Sequence, residues 1–490
     1  MAASAVAPKT LLSGTVLDMV ASSASSLTHR RALACSASRL VPRPPDLARW
    51  VRTEGGFVHP KLRIADSSYG LGVVSADDIP PAPTSSSSPP TSRSSSTAPR
   101  SPPRRSPFPS RSLGFQSPRP CGEHVAEELW AMRLGLRLLQ ERATVGSLWW
   151  PYISNLPEAF TMPIFFPGGD VKSLQYAPLL HQVNKRCRFL LEFEKEVKNI
   201  LDDVASKDHP FGGQDVNASS LGWAMSAVSS RAFRLHGEIL SDGKHSEVPM
   251  LLPLIDMCNH SFNPNARIVQ QQDTSSRNMS VVAETHINGD TPVTLNYGCL
   301  SNDLFLLDYG FVIPSNPYDQ VELKYDETLL DAASTAAGVS SPSFQSPAKW
   351  QQEILSQLNL QGDGALLKVT LGGPELVDGR LLAALRALLT TESEKVKILD
   401  LSTLKSLGGE APLGSSVEAA ALRTIIALCV IALEHFPTKI MEDESVLKAG
   451  ASYSTELAVQ FRMQKKLMII DVMRKLTQRV KMLSKEKSAA

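Results

Sequence analysis

The sequence predicts an α+β fold: a small irregular β-domain, split by a helical insert and followed by an all-α C-terminal domain. Three observations predict it. Short apolar segments bounded by turn residues occur twice, around 61–75 and again over 250–312. Between them, apolar residues recur at helical spacing over long stretches. After Pro317 that spacing resumes and runs to the end of the chain.

The elements follow in order. Residues 1–44 are rich in Ala and Ser, carry Lys9, Arg30, Arg31 and Arg39, and hold one acid, Asp18. That composition is expected of an organelle transit peptide; the alternative is a disordered tail with no address. In 45–80, Leu47, Trp50 and Val51 suit a short helix, and Lys61–Ile64 and Leu71–Ser75 suit two strands with ADSSYG as the turn. Residues 81–120 are Ser, Pro and Arg with almost no aliphatic side chain, so disorder is expected. The helical insert spans 121–245. Val125, Leu129, Met132, Leu136 and Leu139 mark one helix, Leu180 to Leu201 a long amphipathic one, and Ala218–Phe233 a third. Over 246–316 the candidate strands are Ala266–Val269, Met279–Ala283 and Pro292–Leu295, with Asn288-Gly289-Asp290 as a tight turn. Residues 317–490 form the helical domain. Its last helix carries Arg462, Lys465, Lys466, Arg474, Lys475, Arg479 and Lys481, read as a solvated face or as a surface for an acidic partner.

The bulk numbers exclude some classes. The net charge is +1, so the whole-chain field does not point to nucleic acid. The longest clean apolar run, Thr424–Leu433, is shorter than a bilayer span and reads as a buried helix. None of the six cysteines forms a CxxC pair, which fits a reducing compartment rather than a disulfide framework or a zinc ribbon.

Three stretches carry candidate chemistry. In PLIDMCNHSFNPNA, Asp256, Asn259 and His260 follow directly on an apolar run. Buried polar groups cost free energy unless they are paired, so these residues either satisfy one another or face a ligand. Asp256 and His260 would share one face of a helix, but a metal site needs a third and fourth ligand, and no HExxH or cysteine pair lies nearby. In NYGCLSNDLFLLDYGF, two Tyr-Gly pairs, Tyr297-Gly298 and Tyr309-Gly310, bracket a short apolar segment. Glycine after tyrosine allows a sharp turn that aims the ring into a pocket; two core tyrosines are the plainer reading. In SYGLGVVSADDI, the Gly-Leu-Gly suits a backbone that approaches a ligand closely, or an ordinary hairpin.

The order of these stretches, with EGGFVHPKL, EELWAMRLGLRLLQER, SLWWPYISNLP, YAPLLHQVNKR and AMSAVSSRAF, resembles the SET-domain protein methyltransferases. The branch is that of the plastid Rubisco large-subunit lysine methyltransferases and the related actin-histidine methyltransferases. The resemblance implies an irregular β SET domain with a helical insert and an all-α substrate-binding domain. It implies S-adenosyl-L-methionine as cofactor and lysine N-methylation of a plastid protein, such as the Rubisco large subunit or aldolase, in the chloroplast stroma. A monomer is expected, without nucleic acid, membrane or metal.

By the same resemblance, Tyr69, Gly70, Leu71 and Gly72 meet the cofactor through their backbone. Asn259 contacts its amino-acid moiety, His260 offers backbone contacts to its adenine, and Phe311 packs on the adenine side. Tyr309 lies beside the transferring methyl, and Tyr297 lines the target channel. Arg231 and Asp256 contact cofactor or substrate, or form a structural pair. The alternatives are a catalytically silent SET-fold binding platform and a protein-histidine methyltransferase. The chain departs from the family after SADDI: a basic-Gly turn and a further apolar strand are expected there, and the Ser/Pro/Arg tract begins instead at Pro80.

Overall fold

In a computed structural model, the residues described are 39–67, 70–82, 129–202, 204–205, 208–239, 245–273, 276–339, 344–362, 367–408 and 411–489. The acid-poor N-terminal stretch up to residue 38, most of the Ser/Pro/Arg tract, Tyr69 and Val125 lie outside them.

The first β-unit is a hairpin of β1 (Leu62–Ser67) and β2 (Gly70–Ser75), in register from Leu62 opposite Ser75 to Ser67 opposite Gly70. β1 runs through Ala65-Asp66-Ser67, which the sequence reading assigned to the turn. Val73 and Val74 of β2 are buried, and Val74 and Ile79 bridge to Pro292 and Ile287. The hairpin is thereby joined to chain more than two hundred residues away.

The insert begins with α1 (Trp130–Ala143), whose Leu134, Leu136 and Leu138 are buried. Gly135 lets it lie on α3 (Ala218–Ser229), since a Cβ there would stand 3.3 Å from the Ala224 carbonyl carbon. Between them runs α2 (Ala177–Asp202). Asn217 caps α3, its Oδ1 accepting from the amides of Ser219 and Ser220 at 3.1 and 3.0 Å. α3 stops at Ser229 rather than reaching Phe233. Ser230 Oγ donates to Ser226 O at 2.7 Å and closes the last turn. The alternating segment that follows forms β3 (Ala232–Ile239), paired antiparallel with β4 (His245–Leu251). Strand pairing outweighs helical continuation there because a partner is available.

Past β4, the two-residue strand β5 (Asn259–His260) pairs in parallel with β8 (Thr294–Leu295). The hairpin β6 (Ala266–Asp273) and β7 (Ser276–Ala283) lies between them in sequence. The C-terminal domain is helical but contains one ribbon that the sequence reading missed, β9 (Gln320–Lys324) with β10 (Lys368–Gly372). Its main helices are α4 (Ser415–Glu434) and α5 (Tyr453–Ala489). By length and hydropathy α4 could cross a membrane. In the fold its Leu422, Ile425 and Cys429 are fully buried, and its buried Glu418 pairs with Arg386 at 2.7 Å.

Two apolar cores result. One joins the β-domain to the insert; the other fills the C-terminal domain. α2 serves both, with Leu190, Phe193 and Val197 in the first and Leu179 and Val183 in the second. The basic final helix divides: Arg474, Lys475 and Lys481 form a solvated face as expected, but its first three cations do not. Arg462, Lys465 and Lys466 are buried. Arg462 and Lys466 clasp Asp443 at 2.8 and 2.7 Å, and Lys465 pairs with Asp303 and Asp319. Their partners lie far away in sequence, so periodicity alone could not assign these cations to the interior.

Candidate active site

The site is built where β2, β5 and a turn ending in Tyr309 meet. After β4 the backbone reverses at Leu254, held at φ 73°, and enters a 3-10 turn over Ile255–Met257. A left-handed Leu costs about 1–3 kcal/mol, so the surrounding packing must impose it. The turn also separates Asp256 from His260, which lies in β5; the two do not share a helix face.

Asp256 is fully enclosed. Tyr152 Oη donates to its Oδ2 at 2.6 Å, and Arg231 Nη1 donates to its carbonyl at 3.1 Å while lying 3.8 Å from Oδ2. Burial raises its carboxyl pKa, and Arg231 and Tyr152 act against that rise. Its Oδ1 and Arg231 Nε find no hydrogen-bond partner among the described residues.

Asn259 stands against β2. A Cβ on Gly72 would lie 2.4 Å from Asn259 Nδ2 and 2.9 Å from Met257 O, so only glycine permits this approach. Gly70, two residues earlier in the strand, holds φ 90° at the hairpin turn; Leu71 lies between them and packs on the first core. Asn259 Nδ2 is buried and has no partner among the described residues.

His260 is the next residue. Its Nδ1 accepts the Tyr297 amide at 3.1 Å, which puts the ring proton on Nε2. Nε2 is also buried and without a partner among the described residues. Phe262, Phe305 and Tyr297 surround the ring, with centroids at 4.7, 4.8 and 5.3 Å. Loss of solvent pulls the imidazole pKa down to about 4, so the ring is neutral at pH 7.

Tyr297 donates its hydroxyl to Cys258 O at 2.6 Å and stacks on Tyr309, centroids 5.1 Å apart and planes 23° apart. Burial holds both phenols above their usual range, and pushes the Cys258 thiol up to about 12. None of the three is a base at neutral pH.

Tyr309 ends a π-helical turn, Phe305–Tyr309, an irregularity often found at functional sites. Gly310 ends it at φ 78°, where a Cβ would meet Thr161 Oγ1 at 2.4 Å; that hydroxyl donates to Gly310 O at 2.8 Å. Arg186 of α2 fixes the same turn, pairing with Asp308 at 2.7 Å. Phe311 stacks on Phe305 at 5.1 Å and lies 6.0 Å from Tyr309.

A continuous chain of contacts therefore runs from Gly72 through Asn259, His260 and Tyr297 to Tyr309 and Phe311. Arg231 and Asp256 form an adjoining buried pair. Sequence reasoning missed Phe262, Phe305, Tyr152 and Thr161. Of these only Phe305 had a readable signal: with Tyr309 and Phe311 it makes an aromatic cluster within seven residues.

A family model of the SET domain matches residues 116–298, and one described as Rubisco LSMT substrate-binding matches 342–469. Human actin-histidine N-methyltransferase is 26% identical over 356 residues, covering 70% of this chain and 55% of the relative; the mouse protein is 25% identical over 359 residues. The chain spans about half the length of these curated relatives. Among solved structures, the SET domain of LSMT bound to methyllysine and AdoHcy matches with a TM-score of 0.55 and 18% identity, over 90% of this chain and 92% of that one. Rubisco LSMT bound to AdoMet matches with a TM-score of 0.54, 18% identity and the same coverage. At that identity the likeness is one of fold.

Proposed function

We propose that this chain, which matches the SET-domain model over 116–298 and the Rubisco LSMT substrate-binding model over 342–469, methylates a lysine nitrogen on a protein, using S-adenosylmethionine. One observation carries the reading. Two buried donors, Asn259 Nδ2 and His260 Nε2, have no partner among the described residues, and they stand between a glycine strand and a pair of stacked tyrosines. Orphaned buried donors are rare in folded proteins and suit a ligand rich in acceptors. A carboxylate and an adenine ring both fit that description.

When bound, the cofactor supplies a methyl group on a sulfonium, already activated for displacement. The chain's residues hold, align and exclude water. Asn259 and His260 would hold the cofactor, with Gly72 keeping the space for Asn259. Tyr309 and Tyr297 offer aromatic faces to a cationic centre. Their phenols stay protonated, and Tyr297 is already committed to the Cys258 carbonyl, so neither takes the proton of the incoming amine. A lysine must therefore arrive neutral, and loss of solvent on entering the site disfavours its charged form. Alignment of amine and methyl supplies much of the acceleration.

A second reading, a histidine acceptor, is favoured by the printed activity of the 26% identical relatives. The two differ in pH response. A lysine acceptor gives a rate that climbs through neutral pH toward the amine's own pKa, whereas an imidazole is largely neutral by pH 7. Labelled methyl transfer to stromal protein, followed by mass spectrometry of the product, tests both. Labelling no greater than that of a Tyr309→Phe/Asn259→Ala double variant removes the enzymatic reading, and a chain that binds no cofactor in calorimetry is the silent platform. We place the substrate in the chloroplast stroma, on the acid-poor composition of residues 1–44; retention of a fluorescent fusion in the cytosol would contradict that.

A further inference from the structure

We infer that Lys465, on the final helix of the C-terminal domain, is a positioning residue for methyl transfer that sets Tyr309 through the segment 302–309. The inference rests on the methyl-transfer reading above and goes beyond it, since Lys465 touches neither tyrosine of the site.

Lys465 has no solvent-exposed surface. Its ammonium donates to Asp319 Oδ1 at 2.7 Å and Gln320 O at 2.6 Å, and pairs with the Asp303 carboxylate. The rings of Tyr176 and Phe461 lie 5.2 and 5.1 Å away. Burial works against the charge, but the two carboxylates outweigh it and the ammonium is held. Asp303 lies in the helical turn Asn302–Leu304, which runs without a break into Phe305–Tyr309. Asn302 is anchored as well: its amide N–H donates to Asp319 Oδ1 at 3.0 Å, its Nδ2 to Ile313 O at 3.0 Å, and its Oδ1 accepts Ile313 N at 2.9 Å. One cation on the final helix thus fixes the start of the segment whose last residue is Tyr309. Arg186 fixes its other end from the insert.

An apolar cluster of similar volume could be as stable as this buried ion cluster, so stability does not by itself require the charges. What the charges add is direction: a cation between two carboxylates and a carbonyl admits one arrangement, whereas apolar contacts slide.

The test uses the full chain and the variant Asp303→Asn, which leaves Lys465 its Asp319 and Gln320 partners and so retains the fold. Small displacements at a reacting centre cost up to about a hundredfold in rate. The expected result is a kcat lowered about tenfold, with KM for the protein substrate and Kd for the cofactor within about twofold of wild type. In a Tyr309→Phe background the same change should cost less than about threefold, because both act through one group. Lys465→Arg should retain more activity than Lys465→Met. Amide hydrogen exchange over 302–311 should quicken in Asp303→Asn, and this readout does not depend on activity. If wild type transfers no methyl group yet exchange over 302–311 quickens, the function proposed above fails while the coupling holds. Unchanged exchange over 302–311, or a kcat per folded molecule equal to wild type, overturns the inference.

Discussion

Gly72→Ala tests the contact on which the proposed cofactor binding by Asn259 rests. The new Cβ would stand 2.4 Å from Asn259 Nδ2 and 2.9 Å from Met257 O. The first clash could be relieved by rotating Asn259; the second is with backbone and requires the turn after Met257 to shift. Either way the Asn259 amide leaves its place. A hydrogen bond to a charged group contributes about 1.5–3 kcal/mol, so losing the one expected to the cofactor's amino-acid moiety weakens Kd about 10–100-fold. The backbone at Gly72 is not left-handed, so alanine brings no strain of its own and its lower unfolded-state entropy offsets part of the clash. Calorimetric titration with S-adenosylmethionine measures the effect, with thermal melting as the control. Asn259→Ala should lose a similar amount, and the double variant little more. A Gly72→Ala protein that binds within about twofold of wild type would refute the assignment of Asn259.

Tyr309→Phe keeps the stack on Tyr297 and the tilted contact with Phe311, so its melting temperature should change little while kcat falls about 10–100-fold, read by labelled transfer. His260 gives a pH signature: its folded-state pKa of about 4 lies below the unfolded value, so the unfolded chain takes up a proton that the folded ring refuses. Stability is therefore full above about pH 6.5 and declines as pH falls toward 4, by about 1–3 kcal/mol, and His260→Gln should flatten that part of a denaturation series. Asp443→Ala strands the buried Arg462 and Lys466 and should cost about 3–5 kcal/mol in urea unfolding, with no direct effect on cofactor affinity.

The sequence was most legible where one physical period or one local motif decides the outcome. α2 was readable because its apolar face repeats from Leu180 to Leu201, and Val183, Leu190, Phe193 and Val197 of that face are buried. The Asn259-His260 pair was readable because polar residues directly after an apolar run demand partners. The end of α3 was not: no glycine or proline stands between Ser229 and Phe233, and only pairing with His245–Leu251 makes the following segment a strand. The interior cations were hidden for the same reason, since Asp319 and Asp303 lie 146 and 162 residues before Lys465. The departure after SADDI is met structurally at its near end. Ile79 bridges to Ile287, and Ala82 N donates to Ala283 O at 2.9 Å, so residues 79–82 border the sheet where the family pattern continues differently.

The two cores meet at the segment that carries Tyr309, and this makes the C-terminal domain more than a docking platform. Phe305 packs on His260 and Phe311, on the site side, whereas the next two residues, Leu306 and Leu307, are buried in the C-terminal core. Leu174, Leu179 and Val183 of the insert enter that same core. A chain ending at residue 316 would uncover these five aliphatic side chains. At about 1.5–3 kcal/mol each, the loss is at most about 7–15 kcal/mol, comparable to the whole stability of a typical domain. Such a fragment should therefore lack a cooperative thermal transition and near-ultraviolet dichroism, and should bind no cofactor even though Gly72, Asn259 and His260 are all present. A soluble fragment that melts cooperatively and binds S-adenosylmethionine as the full chain does would show that Tyr309 is held by the β-domain alone.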